Sequence, residues 1–128
     1  MIYDTIIVGK GPAGVTAGIY LARANKSVLI IGNGYGALET AESIDNYYAL
    51  DNMSGKELAK KGESQAKSFG AKILEDEVTA IEYMGDFNVK TKTESFTTKT
   101  VLIATGKPKK KISAKNFDKF VGKGISFC

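Results

Sequence analysis

Tyr3-Asp4-Thr5-Ile6-Ile7-Val8-Gly9-Lys10-Gly11-Pro12-Ala13-Gly14 decides the fold. Tyr3 to Val8 is a short apolar run rich in β-branched residues, which reads as a buried strand. The glycine turn follows without a gap. Val15 to Ala24 then carries a helical pattern in which Gly14, Gly18, Leu21 and Ala22 share one face. Small residues there let a helix lie close on a sheet. A second apolar run, Val28-Leu29-Ile30-Ile31, comes after Asn25 and Lys26. Strand, glycine turn, helix and strand make a βαβ unit with a right-handed parallel crossover.

The turn also carries chemistry. The first glycine allows the tight bend, the second lets backbone approach a pyrophosphate, and the third lets helix pack on strand. The anion then sits on free N–H groups at the helix N-terminus. Gly9, Gly11 and Gly14 hold these positions, and Pro12 in the first helical turn loses no needed N–H. A glycine turn alone is weak evidence, but strand and helix flank this one, so it reads as dinucleotide-binding. The acid that such units carry at the end of the second strand is missing, and Gly32-Asn33 stands there. Asn33 either hydrogen-bonds a ribose hydroxyl or is only a turn residue tolerant of positive φ. A simple NAD dehydrogenase therefore fits less well.

Further along, Gly32 to Leu50 reads as a loop long enough to cover a ligand. Ser54 with Glu57 forms a capping box, opening a helix that runs to about Phe69, with Gly70 as its stop. Leu58, Gly62, Ala66 and Phe69 share one face of it. Ala71 to Leu74 is a third short strand. Glu77–Tyr83, Phe87–Thr91 and Ser95–Thr98 then alternate as a three-stranded antiparallel meander, split by Gly85-Asp86 and Thr93-Glu94. Lys99 to Ala104 returns to a continuous apolar run, read as a buried parallel strand ending at Thr105-Gly106, and Pro108 stops it. In an open parallel sheet ligands gather at that strand edge. The fold class expected is α/β: a Rossmann-like parallel sheet with an inserted antiparallel meander.

Composition narrows the chemistry. The chain has 128 residues, room for one domain and hardly two. Histidine is absent, which removes Ser-His and Cys-His nucleophiles and zinc sites built on imidazole. The one cysteine, Cys128, closes no intrachain disulfide and builds no metal site. No signal peptide and no run of eighteen apolar residues is visible, so the expectation is a cytoplasmic protein with no membrane partner. Residues 1–98 hold ten Lys and Arg against thirteen acids, while residues 99–128 hold eight lysines against Asp118 alone. Arginine, the better base reader, occurs only at Arg23. The basic end thus reads as solvated surface rather than a nucleic-acid site.

The order and spacing of Gly9–Gly14, the meander, Ile103-Ala104-Thr105-Gly106 and Gly122-Lys123-Gly124-Ile125-Ser126-Phe127-Cys128 resemble the amino-terminal part of thioredoxin reductase. That is a low-molecular-weight, FAD-dependent pyridine nucleotide–disulfide oxidoreductase. The resemblance spans the whole chain. It implies FAD contacts at Gly9, Gly11, Pro12, Ala13, Gly14, Gly32, Asn33, Asn46, Val78, Ala104, Thr105 and Gly106. It makes Cys128 the first cysteine of a redox-active CxxC. It also implies electron flow from NADPH through FAD to that disulfide and on to thioredoxin, in a homodimeric parent. Residues 1–108 correspond to the first segment of a discontinuous FAD domain. Residues 109–128 correspond to the crossing toward a nicotinamide domain. The chain is thus expected to be an amino-terminal fragment, an incomplete domain inactive alone.

Two departures stand out. Gly36-Ala37-Leu38 replaces a Gly-Gly-Gln stretch, and Asn46-Tyr47-Tyr48-Ala49 replaces Asn-aromatic-Pro-Gly, with loss of its turn expected. These resemble a divergent branch whose flavin takes electrons from ferredoxin, the alternative reading. A non-catalytic FAD- or nucleotide-binding module is the other.

Overall fold

In the computed structural model, which describes residues 1–108 and 110–126, six strands form one sheet in the order β3-β2-β1-β6-β5-β4. β1 spans Ile2–Val8, β2 Val28–Gly32, β3 Lys72–Glu75, β4 Val78–Tyr83, β5 Phe87–Thr91 and β6 Ser95–Ile103. The first four in space are parallel, and β5 and β4 are antiparallel additions. This is the expected architecture. One junction differs from the sequence reading. The third meander strand and the last parallel strand are a single nine-residue strand. Residues 95–98 of β6 pair antiparallel with β5, and residues 97–103 pair parallel with β1. Thr98 makes this possible: fully buried, it donates its hydroxyl to the Tyr3 carbonyl at 3.1 Å. An extended backbone can pair differently on its two edges, so no break is needed at Lys99.

Strand alternation divides the core between two faces. Ile7, Val28 and Ile30 face α1 (Pro12–Arg23) and α2 (Gly55–Ser68), packing on Val15, Ala22 and Ala66. Ile6, Leu29 and Ile31 face the other way and meet Val89, with Phe96, Val101 and Val78 around them. Tyr3 joins this side because alternation is interrupted at Asp4-Thr5, whose two N–H groups both donate to the Ser27 carbonyl. α1 starts three residues earlier than its apolar pattern, because Pro12 is preset for a first helical turn. Gly18 lets it seat closely, since a Cβ there would lie 2.5 Å from Cδ1 of Ile30 and push that side chain aside. Asp4 of β1 ties the start of β2 to the middle of β6. Its carboxylate accepts from the Ser27 N–H and hydroxyl and pairs with Lys99 at 3.0 Å. The Ser27 N–H, then Lys99, hold this carboxyl well below the usual range.

α2 opens with the predicted capping box: Glu57 N–H donates to the Ser54 hydroxyl, and Ser54 N–H donates to the Glu57 carboxylate. Ser54→Ala is expected to cost about 1 kcal/mol. A denaturant melt with an unchanged midpoint would refute that role.

Asp76 joins the parallel half to the hairpin half. Its N–H donates to the Gly32 carbonyl, and its carboxylate accepts from the Thr93 hydroxyl at 2.5 Å and the Glu77 N–H at 2.7 Å. The Thr93 and Thr91 hydroxyls, with the Glu77 N–H, lower its pKa from the usual 3.8 to about 2. A depressed folded pKa stabilises above the unfolded value and ceases to as pH falls through the folded one. The stability gap between wild type and Asp76→Asn is therefore expected to be full above pH 3.8 and to close toward pH 2. Parallel pH–stability curves for the two proteins would contradict it.

A short 3-10 helix, Gly36–Thr40, and a bridge between Ile44 and Met53 shape the loop after β2. The turn expected to be lost there persists. Leu50 N–H donates to the Tyr47 carbonyl at 3.0 Å, and Ala49 adopts φ +63°. Alanine takes the left-handed conformation in place of glycine, at a cost of roughly 1 kcal/mol. A last short helix, α3, covers Phe117–Phe120 and buries Phe117.

Candidate dinucleotide site

The carboxyl ends of β1, β2, β3 and β6 meet around the glycine turn, and each glycine there has a different reason. Gly9 has φ +113°, and a Cβ on it would lie 2.2 Å from the Ala104 carbonyl oxygen. The Ala104 N–H in turn donates to the Val8 carbonyl at 2.7 Å, so β6 is clamped against the turn. A Cβ on Gly14 would lie 1.9 Å from the Gly9 carbonyl oxygen. Gly11 is the exception. Nothing lies within 4 Å of where its Cβ would be. Its φ of −71° is one that any residue adopts.

Gly11 is also the N-cap of α1, and no side chain caps that end. The first intrahelical bond runs from Val15 N–H to the Gly11 carbonyl. The N–H groups of Ala13 and Gly14 thus have no acceptor within the helix. They carry the positive end of the helix dipole, beside Gly11, the glycine of this turn whose side faces open space. Pro12 and Ala13 are exposed on this turn. Such an arrangement receives a phosphate oxygen.

The structure brings Gly14, Ala104 and Thr105 against Gly9, and Gly32 against Lys10. Gly32 lies against Lys10, whose backbone nitrogen would be 2.7 Å from a Cβ there. Asn33 is exposed just beyond. Thr105 and Gly106 are exposed at the end of β6, with Gly106 at φ +69°. Asn46 is exposed in the loop between Ile44 and Met53. Val78 is not at the turn: its side chain packs with the cluster of Tyr3, Ile6, Leu29 and Ile31. Cys128 lies outside the described residues.

Sequence reasoning passed over the charged members of this edge. Lys10 has a side chain only 3% exposed and pairs with Glu63 of α2 at 2.8 Å and Glu75 of β3 at 2.6 Å. Its ammonium lies 4.4 Å from the centre of the Tyr35 ring. Burial pulls the Lys10 pKa down, but Glu63 and Glu75 outweigh it and hold it above the usual value. Burial likewise raises the Glu75 carboxyl, and Lys10 with the Gly34 N–H brings it below its usual value. A lysine inside a glycine turn that continues a buried strand was the available signal.

The sequence profile of the pyridine nucleotide-disulphide oxidoreductase family matches residues 3–128. The chain belongs to that family. Within it, the chain is 35% identical to a thioredoxin reductase of Bacillus subtilis (strain 168) and 38% identical to one of Aquifex aeolicus (strain VF5). Each alignment covers 99% of this chain and 41% of the relative. The crystal structure of thioredoxin reductase from Streptococcus pyogenes superposes with a TM-score of 0.86 at 38% identity, over 99% of this chain and 42% of that one. The resemblance to the amino-terminal part of thioredoxin reductase, first drawn on Gly9–Gly14 and Ile103–Gly106, is borne out. The chain spans about two fifths of the length of these relatives. No described helix of this family member is long and apolar enough to cross a membrane.

Proposed function

We propose that this chain is the FAD-binding portion of a thioredoxin reductase-like flavoprotein, with residues 109–128 crossing toward a nicotinamide domain. The observation that carries the reading is the open side of Gly11 at the uncapped start of α1. The residues fit the group: Ala13 and Gly14 N–H would hold its pyrophosphate, with Gly11 and Pro12 giving close access. Gly9, Gly32, Ala104, Thr105 and Gly106 form the surrounding edge, and Asn33 and Asn46 are further candidate contacts. Bound flavin supplies two-electron chemistry, and the protein's part is to orient it. In the whole protein the reading places Cys128 in a CxxC that passes electrons to thioredoxin, with NADPH as donor, in a cytoplasmic homodimer.

Reduced ferredoxin is the second donor considered. Leu38 favours it, because the position carries an aliphatic side chain where a glutamine is expected, and its carbonyl packs against Gly55. The protein carrying this chain, purified with its cofactor, is expected to be yellow. It should reduce thioredoxin with NADPH or with reduced ferredoxin. Failure with both donors, and with a disulfide dye, would sink the proposal.

A further inference from the structure

A nucleotide-binding βαβ unit carries an acid at the end of its second strand, where it accepts hydrogen bonds from ribose hydroxyls. β2 ends on Gly32-Asn33 and brings none. The neighbouring strand does. Glu75 closes β3 in register with Gly32, one strand over from the missing acid. Two donors fix its carboxylate: the Gly34 N–H at 2.7 Å on Oε1, and the Lys10 ammonium at 2.6 Å on Oε2. A carboxylate has about four acceptor positions, so each oxygen keeps one. The Glu75 side chain is 57% exposed, open to a ligand from solution.

Lys10 links this carboxylate to the phosphate-binding turn. Its backbone lies between Gly9 and Gly11, and its side chain passes Gly32 to reach Glu75 and Glu63. A buried ammonium is tolerated only where its partners are fixed, so Glu75 and the turn hold a set relation. The charge around it is one-sided. Glu39 accepts from the Tyr35 N–H at 2.7 Å on the same loop. Two carboxylates, Glu63 and Glu75, thus face one ammonium, and Glu39 adds a further acid beside Gly34.

We propose that Glu75, held in place by Lys10, takes the role of the missing β2 acid and selects an adenine dinucleotide with a free ribose diol over one carrying a 2′-phosphate. The inference rests on the dinucleotide reading above. Glu75 is the specificity-determining residue and Lys10 a positioning residue. A diol donates to the carboxylate, whereas a 2′-phosphate would meet a net negative loop.

The test is calorimetric titration of the chain with ADP and with adenosine 2′-phosphate 5′-diphosphate. Wild type is expected to prefer ADP by about tenfold or more, as hydrogen bonds to a charged acceptor allow. Glu75→Gln keeps the shape and removes the charge, so the preference should fall to about threefold or less, alongside a lower melting temperature because the buried Lys10 ammonium then keeps only Glu63 as a charged partner. A purely structural ion pair would alter melting and leave the ratio alone. Equal binding of the two ligands by wild type would overturn the proposal, even if the variant does not fold. So would an unchanged ratio in Glu75→Gln, while leaving the dinucleotide reading intact. Loss of all ADP and FAD binding in wild type would overturn both.

Discussion

Gly11→Asp is expected to abolish FAD and ADP binding while leaving the fold untouched. The position has φ −71° and open space where a Cβ would point, so aspartate enters without strain. Aspartate is also among the preferred N-cap residues, and the present N-cap has no side chain to offer. Stability should therefore hold or rise slightly. Binding suffers for the same reason. The carboxylate would cap the N–H groups that the pyrophosphate needs and place a negative charge against it. Two like charges about 4 Å apart near a protein surface repel by roughly 4 kcal/mol, so affinity should fall at least ~100-fold. A thermal melt and a flavin titration on one sample check both halves. Wild-type affinity in the variant would remove Gly11 from the site.

Gly14→Val is expected to do the reverse and damage the fold itself. A Cβ at this position would lie 1.9 Å from the Gly9 carbonyl oxygen and 3.2 Å from Ile7 Cγ2. The first of these is backbone that Gly9 holds against Ala104, and it has no flexible end to move aside. α1 would have to lift from β1, opening the cluster of Ile7, Val15, Val28 and Ile30. Overpacking of this kind costs about 3 kcal/mol or more, which lowers the melting temperature by about 10 °C. Circular dichroism on heating reads it directly. A melting temperature within a degree or two of wild type would contradict the packing account.

These opposite outcomes mark what the sequence made legible. The motif Gly9-Lys10-Gly11-Pro12-Ala13-Gly14 assigns three glycine roles, and the order and type of the strands and helices follow from local pattern. Ser54 with Glu57, and Gly70 at φ +98°, behave as their residue types dictate. Local chemistry did not reveal what depends on distant partners. The burial of Lys10 depends on α2 and β3, which bring Glu63 and Glu75 to it. Lys99 looks like a boundary between two strands, yet Thr98 and Tyr3 carry one strand through. The left-handed Ala49 has no signal in its own side chain. Val78, a FAD contact by resemblance, packs its half-buried side chain against Tyr3, Ile6, Leu29 and Ile31, a neighbourhood its own residue type does not announce. Cys128 lies outside the described residues, so its role rests on sequence alone.

The most direct measurement is a titration of the purified chain with FAD, followed by displacement with ADP. The account predicts saturable binding, full displacement by ADP, and no binding to Gly11→Asp at equal stability. FAD and ADP both failing to bind a folded chain, or binding equally to the Gly11→Asp variant, would contradict it.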